Sequence, residues 1–325
     1  MRIRDTLKSY TWVILLAIFL ACAPMFLFSL NFMNIMSEIL IMAIFAVSLN
    51  LLIGYTGLVS FGHAAFFAIG SYTVGIMLQR YSISIFLALL CGMILAGIAA
   101  LIIGYFVTRL TAIYFSFLTL AFGQIIYTII IKWEGLTGGD QGLVGGIRRP
   151  PIDIFGWVID MKSPMSLYYL IVVMFCLSTI IIKIITDSPF GWIMRAIREN
   201  TERINFLGIN VRRFQIIIFT ISGVFTALAG GLLALHVSGA YPDHAYWSKS
   251  AEPIFMIMVG GLRVFAGPIL GSFIVTEVSA YVTKFFGYWG LIFGGFLIAY
   301  LMISREGILD VMQARWRSRL KPDAK

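Results

Sequence analysis

Two ionisable side chains, His63 and Glu277, lie inside long apolar runs of this 325-residue sequence and could take part in chemistry. Near the middle of a membrane helix a carboxylate costs roughly 2.5–3.5 kcal/mol, so Glu277 should face a partner or a cavity and not lipid. Glu277 is expected to line or gate a path, or else to be a paired packing residue or to lie nearer the outer interface. His63 is expected to line such a path or to make an interhelical hydrogen bond.

Common catalytic motifs are absent from the sequence. It contains no G-x-x-x-x-G-K-[S/T] loop for nucleotide phosphates and no H-E-x-x-H or G-x-S-x-G grouping. Cys22, Cys91 and Cys176 lie in separate apolar runs without metal-site spacing and are expected to be small buried residues. We expect no catalytic residue, no metal and no cofactor in this chain. Two embedded ionisable groups are also few for ion-coupled transport.

The composition indicates an integral membrane protein. Apolar residues make up 60% of the chain and charged residues 12%, whereas soluble domains average roughly 45–50% and about 25%. The net charge of +9 is interpreted as basic cytoplasmic loops and not as a nucleic-acid surface.

An all-α fold with about ten transmembrane helices is predicted, with eight to eleven possible, because a crossing needs about 20 apolar residues. Residues 11–30 are interpreted as an uncleaved helix and not as a signal peptide. Residues 253–262 are too short for a regular crossing and are expected to join their neighbours or to be broken. The other candidates are two spans between Glu38 and Arg80, and residues 83–107, 111–131, 166–182, 214–237, 268–283 and 288–303.

Basic residues orient the predicted spans. With ten crossings, the inner segments carry 17 of the lysines and arginines and the outer segments carry 7, which places both termini in the cytoplasm. The whole chain, 1–325, is then one transmembrane domain. It includes an outer loop at 132–165, a cytoplasmic loop at 183–213 and a basic cytoplasmic tail at 304–325.

Glycines interrupt one apolar stretch in each half of the chain, at 54–70 and 260–271. Paired broken segments often mark an internal repeat with a site at mid-membrane. Gly54, Gly57, Ser60 and His63 are therefore candidate path residues, together with Glu277. Elsewhere, small residues at helix-packing spacing are expected to let helix backbones approach closely; these are Gly223, Ala227 and Gly231 on one helix, and Gly267 and Gly271 on another.

The cytoplasmic stretch 183–213 is long for a connection between two membrane helices. Ser188-Pro189 predicts a helix start and Gly208 a stop. Trp192, Ile193, Ala196 and Ile197 form one apolar edge of the predicted helix. The stretch is expected either to dock a partner or to be a solvated loop that carries topology signals.

Five blocks of sequence together resemble the LivM-type permeases, the membrane subunits of branched-chain amino-acid ABC importers. The segment 195–210 resembles their cytoplasmic signature. Three residues differ from the family pattern, since Arg203-Ile204 replaces a small pair and Gln215 replaces a common lysine. The other blocks are 49–72, 114–122, 137–143 and the C-terminal glycines Gly260, Gly261, Gly267 and Gly271 with Pro268.

The resemblance implies a set of partners and a set of contact residues. The implied partners are a second related permease, two cytoplasmic ATPase subunits that bind ATP, an extracytoplasmic substrate-binding protein and the lipid bilayer of a bacterial or archaeal cytoplasmic membrane. Thr137, Gly138, Gly139 and Gly142 either cap the path and meet the binding protein or form a plain glycine turn. The segment 195–210 corresponds to the loop that fits a groove on an ATPase; its candidate coupling residues are Arg195, Arg198, Glu199, Asn200 and Gly208.

Branched-chain amino acids are the expected substrate. The same machinery could carry urea, short amides or aromatic acids. A secondary transporter or channel working alone and a membrane enzyme are the alternatives from other classes.

Overall fold

A computed structural model describes residues 19–20, 29–81, 83–110, 112–144, 146–154, 157–285, 294–295, 298, 302 and 307–320. The predicted spans 11–30 and 288–303 therefore lie largely outside the described residues. The helices are α1 (Leu30–Thr56), α2 (His63–Arg80), α3 (Ile85–Val107), α4 (Ala112–Lys132), α5 (Glu134–Thr137), α6 (Pro164–Asp187), α7 (Pro189–Glu199), α8 (Thr201–Phe206), α9 (Val211–Val237), α10 (Trp247–Gly260), α11 (Gly267–Phe285) and α12 (Ile308–Leu320).

Among the described residues, five helices are long and apolar enough to cross a membrane, namely α1, α3, α4, α6 and α9. The helical multi-pass architecture is thus confirmed, while the count of ten crossings and the side on which the termini lie stay predictions. The helix α6 is longer than the predicted span 166–182, and it includes the first residues of the predicted loop 183–213. Its last turn holds an ion pair between Lys183 and Asp187 (2.9 Å), which lets charged residues continue the helix.

The stretch between Glu38 and Arg80, predicted to hold two spans, divides into two helices; α1 is long and apolar enough to cross a membrane, and a crossing by α2 stays a prediction. Gly57 ends α1 with a φ of +75°, a conformation that favours glycine, and α2 begins at His63. Gly54 lies within α1 and not in the break.

The two central helices are α1 and α9, which pack against each other and are mostly buried. Close backbone contacts join α9 to α2, as the small residues predicted. An ideal Cβ on Gly70 would lie 2.0 Å from the Ala227 carbonyl oxygen, and one on Gly230 would lie 1.9 Å from the Phe67 carbonyl oxygen. These helices therefore touch backbone to backbone, which supplies packing where lipid offers no hydrophobic drive.

The short segment around 253–262 belongs to α10, a 14-residue helix that packs against α11. An ideal Cβ on Gly260 would lie 1.8 Å from the Gly267 carbonyl oxygen, and one on Gly271 would lie 1.7 Å from the Met256 carbonyl oxygen. The glycines thus permit α10 and α11 to form a tight antiparallel pair. This pair contains the stretch 253–262, which is too short for a regular crossing.

Two parts of the fold lie outside the long helices. The predicted outer loop 132–165 contains a small antiparallel hairpin of β1 (Ile152–Ile154) and β2 (Trp157–Ile159), in which Asp153 pairs with Val158. This hairpin is a departure from the all-α prediction. The predicted basic tail 304–325 contains α12, which contacts α10 and α11.

Candidate functional site

Residues 188–210 form a small helical unit between α6 and α9, named here the α7–α8 unit. α7 begins after Ser188 as predicted, although the Ser188 hydroxyl donates to the Ile185 carbonyl (2.6 Å) and does not cap α7. Asn200 caps α8, since its side chain accepts a hydrogen bond from an amide of the first turn (2.8 Å). Gly208 follows α8 with a φ of +80°. Asn200 and Gly208 therefore shape this unit.

Two arginines of α7 attach the unit to the membrane helices. Arg198 donates to the Gly54 carbonyl at the end of α1, and Arg195 donates to a carbonyl in the last turn of α6 (2.6 Å). The Arg195 guanidinium also lies 4.8 Å from the Trp192 ring centroid and 5.3 Å from that of Tyr55. A cleft of about 390 Å³ lies between these elements, and it is lined by Gly54, Tyr55, Arg195, Arg198, Glu199, Leu262 and Arg263.

The α7–α8 unit has one buried and one exposed apolar face. Ile197 and Ile204 are buried against the start of α9, so the bulk of Ile204, which replaces a small family residue, points inward. Trp192, which was predicted on the same apolar edge as Ile197, lies outside this contact and is 53% exposed. Phe206 and Leu207 are 89% and 70% exposed. Large apolar side chains that are exposed at the end of an otherwise polar helix indicate a surface that contacts another molecule.

The turn between α10 and α11 is held by α12. The Asp310 carboxylate accepts hydrogen bonds from the amides of Leu262 (3.0 Å) and Arg263 (3.2 Å). Leu262 and Arg263 line the cleft below α7, so α12 fixes one wall of it. The role of Asp310 was not predicted from the sequence, because its hydrogen-bond partners lie almost fifty residues away.

A buried hydrogen-bond chain joins α2 to α9 and α1. Ser222 donates to the Ser48 carbonyl (2.7 Å), so it accepts from His63 Nε2 (2.9 Å). His63 Nδ1 then accepts from the Ser60 hydroxyl (2.8 Å), which in turn accepts from the Gly62 amide (3.3 Å). One neutral tautomer satisfies every group, and this geometry favours the interhelical interpretation of His63.

The five predicted path residues occupy three places. Gly54 and Gly57 lie beside Arg198 at the end of α1, whereas Ser60 and His63 are buried between α2 and α9. Glu277 is half-buried on α11. Nothing within the described parts of the chain joins all three places, and a path through these residues stays a prediction.

A cluster of charged side chains that was not predicted from the sequence lies at the start of α10. Lys249 and Glu252 form an ion pair (2.6 Å) with side-chain exposures of 18% and 41%, and Lys249 Nζ lies 5.9 Å from the Phe67 ring centroid. Glu38 of α1 is within electrostatic range of both side chains. Pro253 has no amide hydrogen to donate to the Lys249 carbonyl, so the helix is weakened there. In the sequence, the i, i+3 spacing of Lys249 and Glu252 could have indicated this ion pair.

The outer-loop residues form a turn that is attached to the helices. The Thr137 hydroxyl contacts two carbonyls at the end of α4 (2.6 and 2.8 Å), and Gly138, Gly139 and Gly142 all have positive φ. Beyond the turn, Leu143 pairs with Ala240 through backbone hydrogen bonds of 2.8 and 3.3 Å. This geometry is that of a glycine turn, and contact with a binding protein stays a prediction.

These features define a class of protein: a multi-pass helical membrane protein with a charged helical unit at one end of the bundle. Within the described residues, no group of three or more His, Cys, Asp or Glu side chains could hold a metal ion. A family model described as "Branched-chain amino acid transport system / permease component" matches residues 31–303. The chain belongs to this family.

Several known permeases are similar to the chain. The high-affinity branched-chain amino acid transport system permease protein LivM of Escherichia coli (strain K12) is 26% identical, over 94% of this chain and 76% of that protein. The ribose import permease protein RbsC of Haemophilus influenzae is 27% identical, over 84% of this chain and 81% of that protein. The probable LivH permease of Methanocaldococcus jannaschii is 30% identical, over 38% and 42%. No solved structure matches the chain.

Proposed function

We propose that this chain is a membrane-spanning subunit of an ABC importer that moves branched-chain or related amino acids into a bacterial or archaeal cell. Two separate ATPase subunits bind and hydrolyse ATP, a second permease completes the pathway, and an extracytoplasmic protein delivers the substrate. The α7–α8 unit carries this proposal, because Phe206 and Leu207 expose apolar side chains where an ATPase would dock. The chain itself performs no chemistry.

Force reaches the helices through the arginines of α7. Closure of the ATPases displaces the α7–α8 unit, and Arg198 transmits the displacement to the end of α1 through the Gly54 carbonyl. Because α1 packs against α6, α9 and α11, the displacement biases the balance between inward-open and outward-open states. Gly57, Ser60, His63 and Glu277 are proposed to line or adjoin the path that opens.

Copurification with the ATPase subunits tests this proposal. The double substitution Phe206→Ser/Leu207→Ser removes the exposed apolar pair and is expected to abolish both ATPase retention and substrate uptake. The exposed neighbour Asn205→Ser is the matched control and should retain both. If the double variant keeps full ATPase binding and uptake, the α7–α8 unit is not the docking surface.

The charged group on α10 favours an amino acid over a sugar as the substrate. A zwitterion carries one carboxylate and one ammonium group, which complement the Lys249 cation and the carboxylates of Glu252 and Glu38. RbsC, a relative at similar identity, is named for a neutral sugar. Binding-protein-dependent uptake of labelled leucine, ribose, urea and benzoate distinguishes the candidates. Lys249→Met should reduce leucine uptake severely, whereas the exposed neighbour Ser248→Ala should not.

A secondary transporter is the alternative from another class. It predicts uptake that survives ATP depletion and stops when the ion gradient is collapsed, with a pH dependence that shifts in Glu277→Gln. The ABC importer predicts the opposite response to ATP depletion.

A further inference from the structure

An apolar groove crosses the outer surface of α3 and α9. It has a volume of about 410 Å³, and it is lined by Leu101, Ile102, Tyr105, Phe106 and Ile216. The α3 side chains in it are about half exposed. Both helices are long and apolar enough to cross a membrane, so the groove faces the hydrocarbon region or another protein.

Two arginines lie at one end of this groove, beside the Tyr105 ring. The guanidinium carbon of Arg109 lies 4.8 Å from the ring centroid and that of Arg212 lies 4.6 Å from it. Arg212 also donates to the Tyr105 carbonyl (2.7 Å). Its Nε is buried and has no hydrogen-bond partner within the described chain. Arg109 is exposed at this end of the groove, so its guanidinium group can contact a ligand there.

Among the described residues, no carboxylate pairs with either arginine. Residues 83–133 and 203–242, which contain α3, α4 and α9, include no aspartate or glutamate. Glu199 and Glu202 lie on the helices that pack against the start of α9. The ion pairs within the described residues join Lys183 to Asp187 and Lys249 to Glu252. Within the described parts of the chain, the two guanidinium groups therefore form no ion pair.

We propose that this groove binds one anionic phospholipid, with an acyl chain against Ile102 and Phe106 and the phosphate between Arg109 and Arg212. Guanidinium groups bind phosphate through paired hydrogen bonds, and basic pockets beside membrane helices attract anionic headgroups. A free phosphate would leave the apolar groove uncovered, which is why a lipid fits better. The site lies at the end of α9 that follows the α7–α8 unit, and it is independent of which substrate is carried.

Native mass spectrometry of the full-length chain, purified with its partner subunits, tests this site. Lipid retention is compared after addition of phosphatidylglycerol or of zwitterionic phosphatidylcholine. We expect one tightly retained phosphatidylglycerol per chain. Arg109→Gln and Arg212→Gln should each weaken its retention about fivefold. Ile102→Trp fills the groove without changing the charge and should also displace the lipid.

Arg213→Gln is the matched control, because this exposed arginine is adjacent in sequence and contributes only its backbone amide to the Asn210 cap. It should retain the lipid. If Arg213→Gln and Arg212→Gln lose the same amount of retained lipid, the binding depends on nonspecific positive charge and the proposal is overturned. Equal retention of phosphatidylcholine, unaffected lipid binding in Ile102→Trp, or protection of the groove by the second permease would overturn it as well.

Discussion

Replacing Asp310 by alanine should release the turn that α12 holds beside the α7 cleft. The carboxylate accepts hydrogen bonds from the Leu262 amide (3.0 Å) and the Arg263 amide (3.2 Å), and hydrogen bonds to charged groups contribute about 1.5–3 kcal/mol each. Because Arg263 is exposed, hydrogen bonds to water replace part of this contribution in the variant. We therefore expect the turn to lose about 1–2 kcal/mol of stabilisation. That loss changes the ratio of docked to released turn by a factor of about 5–30.

Amide hydrogen exchange measures this ratio directly. The amides of Leu262 and Arg263 should exchange about 5–30 times faster in Asp310→Ala, and transport per ATP hydrolysed should fall. Asp310→Asn keeps one acceptor oxygen without the charge and should give an intermediate rate. Gln313→Ala changes an exposed residue of the same helix and should leave exchange unaltered. Unchanged exchange in Asp310→Ala would refute the view that α12 holds the turn.

Two further substitutions test the packing and the electrostatics. Gly70→Ala places a Cβ 2.0 Å from the Ala227 carbonyl oxygen and should lower the free energy of unfolding by about 1–3 kcal/mol in thermal denaturation, whereas Gly135→Ala, with no atom within 4 Å of the new Cβ, should not. Burial, assisted by the Lys249 charge, lowers the pKa of His244, in the turn between α9 and α10, from 6.5 to about 3. The unfolded chain therefore binds more protons between these values, and stability should be complete above pH 6.5 and fall as the pH drops towards 3. A pH series of melting curves should show this fall in the wild type and a smaller fall in His244→Gln.

Local patterns predicted the parts of the fold that depend on neighbouring residues. Apolar length located α3, α4, α6 and α9, and Ser188-Pro189 located the start of α7, because helix formation and capping are short-range effects. The close approach of α2 and α9 at small residues also followed from local spacing. Whether a residue such as Phe206 is exposed depends on the whole bundle, so its 89% exposure could not be predicted.

The missed site residues share one physical reason. Asp310 holds amides almost fifty residues earlier in the chain, and Glu38 is brought to Lys249 only by the packing of α1 against α10. In the sequence, Lys249 was one of the basic residues assigned to the outer segments, because a lysine beside a predicted span normally marks topology. A single sequence contains no signal for such distant contacts, and the clustering of these charges became visible only with the fold.

The glycine contacts constrain how the protein can change shape. At Gly70 and Gly230 the backbones of α2 and α9 touch, and at Gly260 and Gly271 those of α10 and α11 touch. At these glycines no side chain separates the two backbones, and close-packed contacts transmit displacement instead of absorbing it. Each pair should therefore move as a rigid body. The Arg198 contact with Gly54 and the Asp310 contact with the α10–α11 turn both involve residues that line the same cleft. Motion of the α10–α11 pair relative to α1 should therefore change the shape of this cleft, and under the proposed function this is where displacement of α7 would act.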